Sequence, residues 1–312
     1  MFLSEQRVTC GVPQCSLCNE PAVFCQRHPN RHLCKAHFIA DVELRVTSTI
    51  NTRQMIVPGD CIAVALSGGK DSTALLILLK RLIPLWEGIR LVAITIDEGI
   101  SGYREETMHS AEKLTSRLGI EHHYISFSGL FGYSLDTLLT GRESQACSIC
   151  GILRKKGLAV GAREAGATKL ATGHNLDDEA QSVLMNVLRN DLPRLVRNSG
   201  TDSSGKFITR IKPLSLISEK EIATYLILND AWNELPECPY TIHAMRREVR
   251  SMLSGFEYKH PGTMLNLMKS KEKIERCGKG SVISEPLRTC RGCGDPCSRD
   301  LCQVCLLRQS FG

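Results

Sequence analysis

The chain has 312 residues, of which 42% are hydrophobic, so it can bury a sizeable core in one large domain or two. Lysine and arginine exceed aspartate and glutamate by 39 to 33, and the resulting charge of +6 permits a nucleic-acid partner without requiring one. The sequence has no run of 18 apolar residues, and its first ten residues lack a signal-peptide pattern. We therefore expect a cytoplasmic protein without a membrane-spanning segment.

Residues 1–45 form a small segment rich in cysteine and histidine. CxxC spacing in a chain without a secretion signal indicates metal or redox chemistry rather than disulfides. Three thiols and one imidazole have the spacing of a closed tetrahedral zinc site, namely Cys15, Cys18, Cys34 and His37. Other possible ligands surround them: Cys10, Cys25, His28 and His32. We predict an N-terminal zinc finger whose folding energy comes largely from the metal.

Residues 46–284 alternate short β-branched runs with longer segments of helical spacing. Strands are predicted at 61–66, 91–96, 122–127 and 169–174. Helices are predicted at 72–82, 104–119, 152–166, 177–190 and 218–230, and a polar loop at 198–206. This alternation predicts an α/β, Rossmann-like fold with a parallel sheet covered on both faces.

The first predicted strand leads into Ser67-Gly68-Gly69-Lys70-Asp71-Ser72 and then into a helix. The glycines allow backbone N–H groups to approach an anion closely, and the helix N-terminus adds its positive end. The two serine hydroxyls and the lysine can bind phosphate. Asp71 is unexpected beside a polyanion unless it holds Mg²⁺ or positions a neighbouring donor. The spacing is not that of a Walker A loop.

A second CxxC, formed by Cys147 and Cys150, precedes a basic helical segment, and Cys238 follows about 90 residues later. The pair alone fits a redox couple, half of a metal site or two buried thiols. Together with the distant cysteine it offers three thiolates, which suit an iron–sulfur cluster with one open iron or a nucleophile with a resolving thiol. We expect Arg154, Lys155 and Lys156 to favour the thiolates.

The last strand ends at Thr172-Gly173-His174-Asn175, and Asp177 and Asp178 open the next helix. Acids are common in the first turn of a helix, and the histidine fits an ordinary turn, so neither observation alone indicates catalysis.

Residues 285–312 contain four more cysteines with zinc-site spacing: Cys290, Cys293, Cys302 and Cys305. Cys297 lies between them as a further possible ligand. We predict a C-terminal zinc finger, and the arginines around it suggest contact with RNA phosphates.

The segments SGGKDS, CSICG, TGHNLDDEA and ECPY, in this order, closely resemble those of the TtuA/NcsA-type tRNA 2-thiouridine synthetases. These belong to the PP-loop ATP pyrophosphatases, and the resemblance covers nearly the whole chain, including both zinc-site sets. It implies that ATP adenylates the C2 oxygen of a tRNA uridine and that sulfur then displaces AMP. The C-terminal part of 46–284 is expected to be helical and to face tRNA.

The resemblance also implies roles for individual residues. Asp71 and Asp178 match acids near the phosphates and the reacting centre. Cys147, Cys150 and Cys238 match ligands of a [4Fe–4S] cluster that carries the sulfur. Positions that line the nucleotide are matched by Ala65, Leu66, Ser67, Ile96 and Gly173.

Arg154 stands where members that modify T-loop uridine 54 have lysine, and it matches members that modify wobble uridine 34, which we therefore favour. The expected partners are tRNA and a sulfur donor, either sulfide or a ubiquitin-like thiocarboxylate protein, with a homodimer as the expected assembly. Three alternatives remain: another adenylating PP-loop enzyme such as a lysidine synthetase, a tRNA-binding scaffold, and a persulfide on Cys147 or Cys150 in place of the cluster.

Overall fold

The computed structural model describes residues 12–196, 207–240, 245–278 and 288–311. The polar loop expected at 198–206 and the spare ligand Cys10 lie outside these residues. No helix within the described part of the chain is long and apolar enough to span a membrane.

Five parallel strands form the central sheet, in the order β5-β4-β3-β6-β7. The strands of the chain are β1 (Phe24–Arg27), β2 (Asn30–Leu33), β3 (Cys61–Ala65), β4 (Arg90–Asp97), β5 (Glu121–Ser126), β6 (Lys169–Ala171), β7 (Thr209–Ile211), β8 (Arg288–Thr289) and β9 (Pro296–Cys297). The α/β prediction is confirmed. Strand β7 was not predicted, because three residues carry too little alternation, and β6 ends three residues earlier than expected.

The described residues contain twelve α-helices. They are α1 (Lys35–Thr52), α2 (Lys70–Leu82), α3 (Arg104–Leu118), α4 (Phe127–Phe131), α5 (Leu135–Leu138), α6 (Ala146–Glu164), α7 (Leu176–Leu188), α8 (Leu192–Val196), α9 (Glu219–Leu228), α10 (Met245–Lys259), α11 (Thr263–Cys277) and α12 (Gln303–Phe311). The expected boundary at residue 45 falls within α1, which continues from the N-terminal cysteine-rich segment into the core.

The central sheet is buried on both faces, as parallel sheets generally are. Successive residues of β3 alternate between two cores: Ile62 and Val64 pack with α1, α2 and α9, whereas Cys61 and Ala63 pack with α4 to α6. A third apolar cluster joins α7 and α8 to α10 and α11. This helical cluster extends the sheet domain on the side of β6.

Glycines allow α6 to lie close to the sheet. A Cβ at Gly161 would lie 2.9 Å from Cγ1 of Ile125 and 3.0 Å from Cγ2 of Ile94, and one at Gly157 would lie 3.1 Å from Cδ1 of Ile96. Helix α6 therefore packs against β4 and β5 at short range. Since a helix that connects parallel strands runs back along the sheet, its N-terminus lies at the carboxyl edge, where open α/β sheets bind ligands.

Candidate active site

The strand order reverses between β3 and β6, and the loops after these two strands meet at this position. Helix α2 begins immediately after the loop that follows β3, with Gly69 as its N-cap. Gly68 has φ +87°, and a Cβ there would lie 2.2 Å from the carbonyl oxygen of Thr107. Only glycine fits this turn, which places the backbone of the loop at the N-terminal end of α2, where an anion is favoured.

The hydroxyls of the loop hold its shape. The Oγ atoms of Ser67 and Ser72 lie 3.1 Å apart, and Ser72 donates to the Gly69 carbonyl at 2.9 Å. The backbone N–H of Ser67 donates to Ser72 Oγ at 3.2 Å. Both predicted phosphate-binding serines therefore already face the inside of one turn.

Asp71 is held from two sides. One carboxylate oxygen accepts a hydrogen bond of 2.9 Å from the Asn175 side chain, and the other lies 3.0 Å from Lys70 Nζ. Lys70 Nζ also lies 2.9 Å from Glu219. Burial lowers the pKa of Lys70, but Asp71 and Glu219 outweigh it and raise the pKa overall. The lysine is therefore a firm cation beside the loop.

The turn after β6 lies directly against the nucleotide loop. A Cβ on Gly173 would lie 2.9 Å from the backbone carbon of Asp71 and from the backbone nitrogen of Ser72. The next helix, α7, begins with a capping box in which Asn175 and Asp178 bond each other's backbone N–H groups. This close approach explains why a glycine, and not a larger residue, follows Thr172.

Asp178 also contacts the helical part of the molecule. Its Oδ1 lies 3.2 Å from a guanidinium nitrogen of Arg246, which also donates to Ser182 at 3.1 Å. Burial, and then the charge of Lys212, lowers the pKa of His174 next to this acid. His174 Nδ1 lies 2.9 Å from the Thr172 hydroxyl, so the structure supports the ordinary turn role for this histidine.

The central cysteines lie at the N-terminal end of α6 and on the segment after α9. Cys147 is exposed, Cys150 is buried and Cys238 is intermediate. The thiol of Cys147 lies 3.6 Å from the Tyr240 carbonyl, and Tyr240 donates to Asp136 at 2.8 Å. These contacts hold the distant segment against the start of α6.

Of the basic residues Arg154 and Lys156, only Arg154 contacts one of these thiols. Arg154 Nη2 donates to Cys150 Sγ at 3.3 Å, whereas Lys156 forms an ion pair with Asp295 in the C-terminal segment. Burial raises the pKa of Cys150 to about 11 even though Arg154 lowers it. Arg154 thus favours the thiolate of Cys150, as expected, although burial has the larger effect on its pKa.

Arg154 is held by a buried carboxylate at the end of β4. Its Nε donates to Glu98 at 2.8 Å, and Glu98 is 3% exposed. The second oxygen of Glu98 lies 2.7 Å from Nε of Arg104, which is also buried. Arg104 in turn donates to the carbonyl of Ser67 at 3.2 Å. Ala65 and Leu66 lead into the same loop, and Ile96 lies two residues before Glu98.

Each terminal segment brings four ligand atoms within 4.8 Å of one another. In the first, Nδ1 of His37 lies 3.4 Å from Cys15 Sγ and 3.3 Å from Cys34 Sγ, and Cys18 Sγ lies 3.7 Å from Cys34 Sγ. The second set contains Cys290, Cys293, Cys302 and Cys305. Neither Cys25 nor Cys297 belongs to a set. Among the described cysteines, the structure therefore separates the four-ligand sets from the spare ligands that spacing alone could not exclude.

Two family models match the chain. One, a PP-loop domain, covers residues 40–234, and the other, the N-terminal LIM domain of 2-thiouridine synthetase TtuA, covers residues 14–39. The tRNA 2-thiolation protein NcsA of Haloferax volcanii is 36% identical over 96% of this chain and 99% of its own length. The chain belongs to the PP-loop family of tRNA 2-thiolation proteins.

Other members of this family are similar over the same length. The cytoplasmic tRNA 2-thiolation protein 1 of Bos taurus is 36% identical over 95% of this chain and 87% of its own. A solved structure, described as the U34-tRNA thiolase NcsA from Methanococcus maripaludis with its [4Fe-4S] cluster, is 30% identical. It covers 96% of each chain with a TM-score of 0.83. The resemblance predicted from the motifs is thus confirmed.

Sequence reasoning missed several residues of the site. Glu98, Arg104, Glu219 and Arg246 each contact a predicted residue, but none lies within a recognised motif. For Asn175 the signal was present, because Asn at the N-cap with Asp at the third helical position is a capping-box pattern.

Proposed function

We propose that this protein is an ATP-dependent enzyme that replaces the C2 oxygen of a tRNA uridine with sulfur. The observation that carries the proposal is one shared edge: the nucleotide loop and the start of α6, with Cys147 and Cys150, both lie at the carboxyl ends of the central strands. Glu98, which follows β4, connects them through Arg104 and Arg154. An adenylation site and a thiol site so placed can act on one substrate atom.

In the first step, the uridine C2 oxygen forms a bond to the α-phosphorus of ATP as the bond to the bridging oxygen breaks and pyrophosphate leaves. The N–H groups of Gly68 and Gly69 and the hydroxyls of Ser67 and Ser72 bind the phosphates, and Lys70 neutralises charge. Asp71, fixed by Asn175, would hold the Mg²⁺ that accompanies ATP. In the second step, a sulfur nucleophile attacks C2, the C–O bond breaks, and AMP leaves with the oxygen.

Cys147, Cys150 and Cys238 are the proposed ligands of a [4Fe–4S] cluster. The donor set fits this group, because a set of three thiols suits a cluster with one open iron. In each of the two terminal sets, the four ligand atoms lie close enough together to bind one ion. The sulfurs of the three central cysteines do not form such a group among the described residues. Each thiolate in a cluster binds a different iron, so convergence is not required. The bound cluster would supply an iron at which sulfide can be held, and sulfide or a thiocarboxylate protein is the proposed donor.

A group of cations beside the site supports tRNA as the substrate. Burial, and then the charges of Arg210, Arg194 and Lys212, lower the pKa of Lys155. Arg210 donates to the Lys155 carbonyl at 3.3 Å, and neither side chain forms an ion pair with a described acid. Such cations suit the phosphate backbone of RNA, and together with Asp178 and Arg246 they border the site.

We infer wobble uridine 34 as the target, since Arg154 is present and a relative that is 30% identical is described as a U34-tRNA thiolase. The two terminal sets are proposed zinc sites, because their four ligands each suit a closed tetrahedral ion. The cytoplasm is the proposed compartment, in keeping with the name of the bovine relative, and a homodimer the proposed assembly.

The test uses anaerobically reconstituted protein with ATP, Mg²⁺, sulfide and tRNA, followed by mass spectrometry of the nucleosides. We expect 2-thiouridine and stoichiometric pyrophosphate with the normal tRNA and with a U54C tRNA, but not with a U34C tRNA. Asp71→Ala should abolish both products, whereas Glu106→Ala, an exposed acid on α3, should not. Product with U34C but not U54C would overturn the wobble assignment, and pyrophosphate release without thiolation would overturn the sulfur transfer.

A further inference from the structure

One chain of side-chain contacts runs from the nucleotide loop to the buried thiol. Arg104 donates to the Ser67 carbonyl at 3.2 Å and lies 2.7 Å from Glu98. Glu98 accepts from Arg154 at 2.8 Å, and Arg154 donates to Cys150 Sγ at 3.3 Å. The carboxylate at its centre is 3% exposed. It follows β4 directly, so a rigid sheet strand fixes its position.

The charges of the side chains in this series of contacts do not balance. One carboxylate faces two guanidinium groups, which leaves one excess positive charge beside Cys150. A buried carboxylate carries a large desolvation penalty, and apolar packing would serve stability as well. A buried Glu98 with two arginines is therefore better explained by what it holds in place than by what it adds to the core.

The two arginines differ in how much freedom they have. Arg104 is 5% exposed and also bonds the carbonyls of Ser67 and Ile96, so it stays in place without Glu98. Arg154 has a 46% exposed side chain and depends on Glu98 for its only ion pair among the described residues. The arginine that faces the cleft is thus the one that Glu98 orients.

We propose that Glu98 is a positioning residue that fixes the Arg154 guanidinium between the nucleotide loop and the sulfur site. With Nε held by Glu98 and Nη2 at Cys150, the planar group has one orientation, and its Nη1 bonds no described residue, so it is available to the substrate. Without Glu98, the flexible stem samples many orientations. The inference rests on the proposed function for its substrate, but the Glu98–Arg154 contact stands independently.

The experiment compares Glu98→Gln, Arg154→Lys and the double variant. In Glu98→Gln we expect kcat for thiolation to fall about 10- to 100-fold, because misplacing a catalytic group by about 1 Å has effects of this size. KM for ATP and tRNA should stay within about threefold, and iron content should match the unmodified protein. The double variant should be no slower than Arg154→Lys alone, since both changes remove one interaction. Multiplied losses would overturn the proposal.

A second variant and a spectroscopic signal keep the test independent of folding and of activity. Glu98→Asp keeps the buried negative charge but retracts the carboxylate from both arginines. Because Arg104 is also held by the carbonyls of Ser67 and Ile96, this variant should fold normally and still lose kcat. The matched control is Glu105→Gln, which changes an exposed acid on α3 and should keep full activity. Full activity in Glu98→Asp would overturn the proposal.

The NMR signal of the Arg154 Nε–H group, assigned by its absence in Arg154→Lys, reports the contact itself. It should be protected from exchange in the unmodified protein and lose protection in both Glu98 variants. If the unmodified protein shows this protected signal but does not thiolate tRNA, the proposed function fails and the contact stands. If the signal is unchanged in the Glu98 variants, the positioning role is overturned.

Discussion

Gly173→Ala tests whether the turn after β6 supports the nucleotide loop. The added methyl group would lie 2.9 Å from the backbone carbon of Asp71 and from the backbone nitrogen of Ser72, and 3.1 Å from the Asp71 carbonyl oxygen. All three atoms belong to the main chain at the start of α2, so no side-chain rotation can relieve the contact. Overpacking of this kind costs about 1–3 kcal/mol.

This cost in free energy can lower either the affinity for the nucleotide or the stability of the fold. If the start of α2 moves, nucleotide binding should weaken by about 5- to 150-fold, the equivalent of 1–3 kcal/mol. If the whole fold carries the strain, Tm should fall by about 2–4 °C for each kcal/mol. Isothermal titration with a non-hydrolysable ATP analogue and a thermal melt measure the two directly.

The matched control is Gly255→Ala, at an exposed position of α10 where an added Cβ meets nothing within 4 Å. It should leave nucleotide binding unchanged and stabilise the helix by roughly 0.5–1 kcal/mol. A Gly173→Ala protein with both normal nucleotide affinity and normal Tm would refute the reasoning.

Three further predictions concern the metals and pH. Cys147→Ser, Cys150→Ser and Cys238→Ser should each abolish iron binding and thiolation while zinc content stays constant, as elemental analysis can show; full activity in iron-free protein would instead support the persulfide. Chelation of zinc should unfold the terminal segments but leave the α/β core intact by circular dichroism, and one cooperative loss of all structure would contradict this. Burial lowers the pKa of His122 to about 4 from 6.5, so the folded state keeps it neutral while the unfolded state protonates first. The free energy of unfolding should therefore fall as pH drops from 6.5 towards 4, by at most about 3 kcal/mol, and His122→Gln should lose that dependence in urea titrations.

The predictable parts of the site were those encoded in short segments. The nucleotide loop is six consecutive residues between a strand and a helix, and each zinc set consists of two local pairs. Local spacing was enough to place the nucleotide loop and to indicate the zinc-type pairs, whereas the resemblance was needed to choose among the spare ligands. The distant Cys238 could be assigned only by resemblance, because nothing in its local sequence shows that Tyr240 binds Asp136 and brings the segment to α6.

Contacts between distant residues were not predictable. Gln26 in the N-terminal cysteine-rich segment donates to Glu221, 195 residues away, and Glu221 also pairs with Arg45. Glu98 and Arg154 are 56 residues apart. A charged residue in sequence looks like solvated surface in most contexts. Its burial against a partner depends on the tertiary fold, so the residues that orient the catalytic groups were the ones missed.

Helix α6 shows why some of this information is hidden even locally. The structure begins the helix at Ala146, six residues before the predicted start. Its buried face consists largely of small residues, including Cys150, Gly157 and Gly161, which contribute little hydrophobic contrast. Hydrophobic periodicity therefore underestimates the length of the helix, although the same small residues allow it to approach β4 and β5. Because Lys156 on this helix also pairs with Asp295, one element joins the sheet, the thiol site and the C-terminal segment. A change that displaces α6 should thus disturb iron binding at the thiol site and docking of the C-terminal cysteine-rich segment together, whereas Asp71→Ala in the nucleotide loop should leave both unchanged.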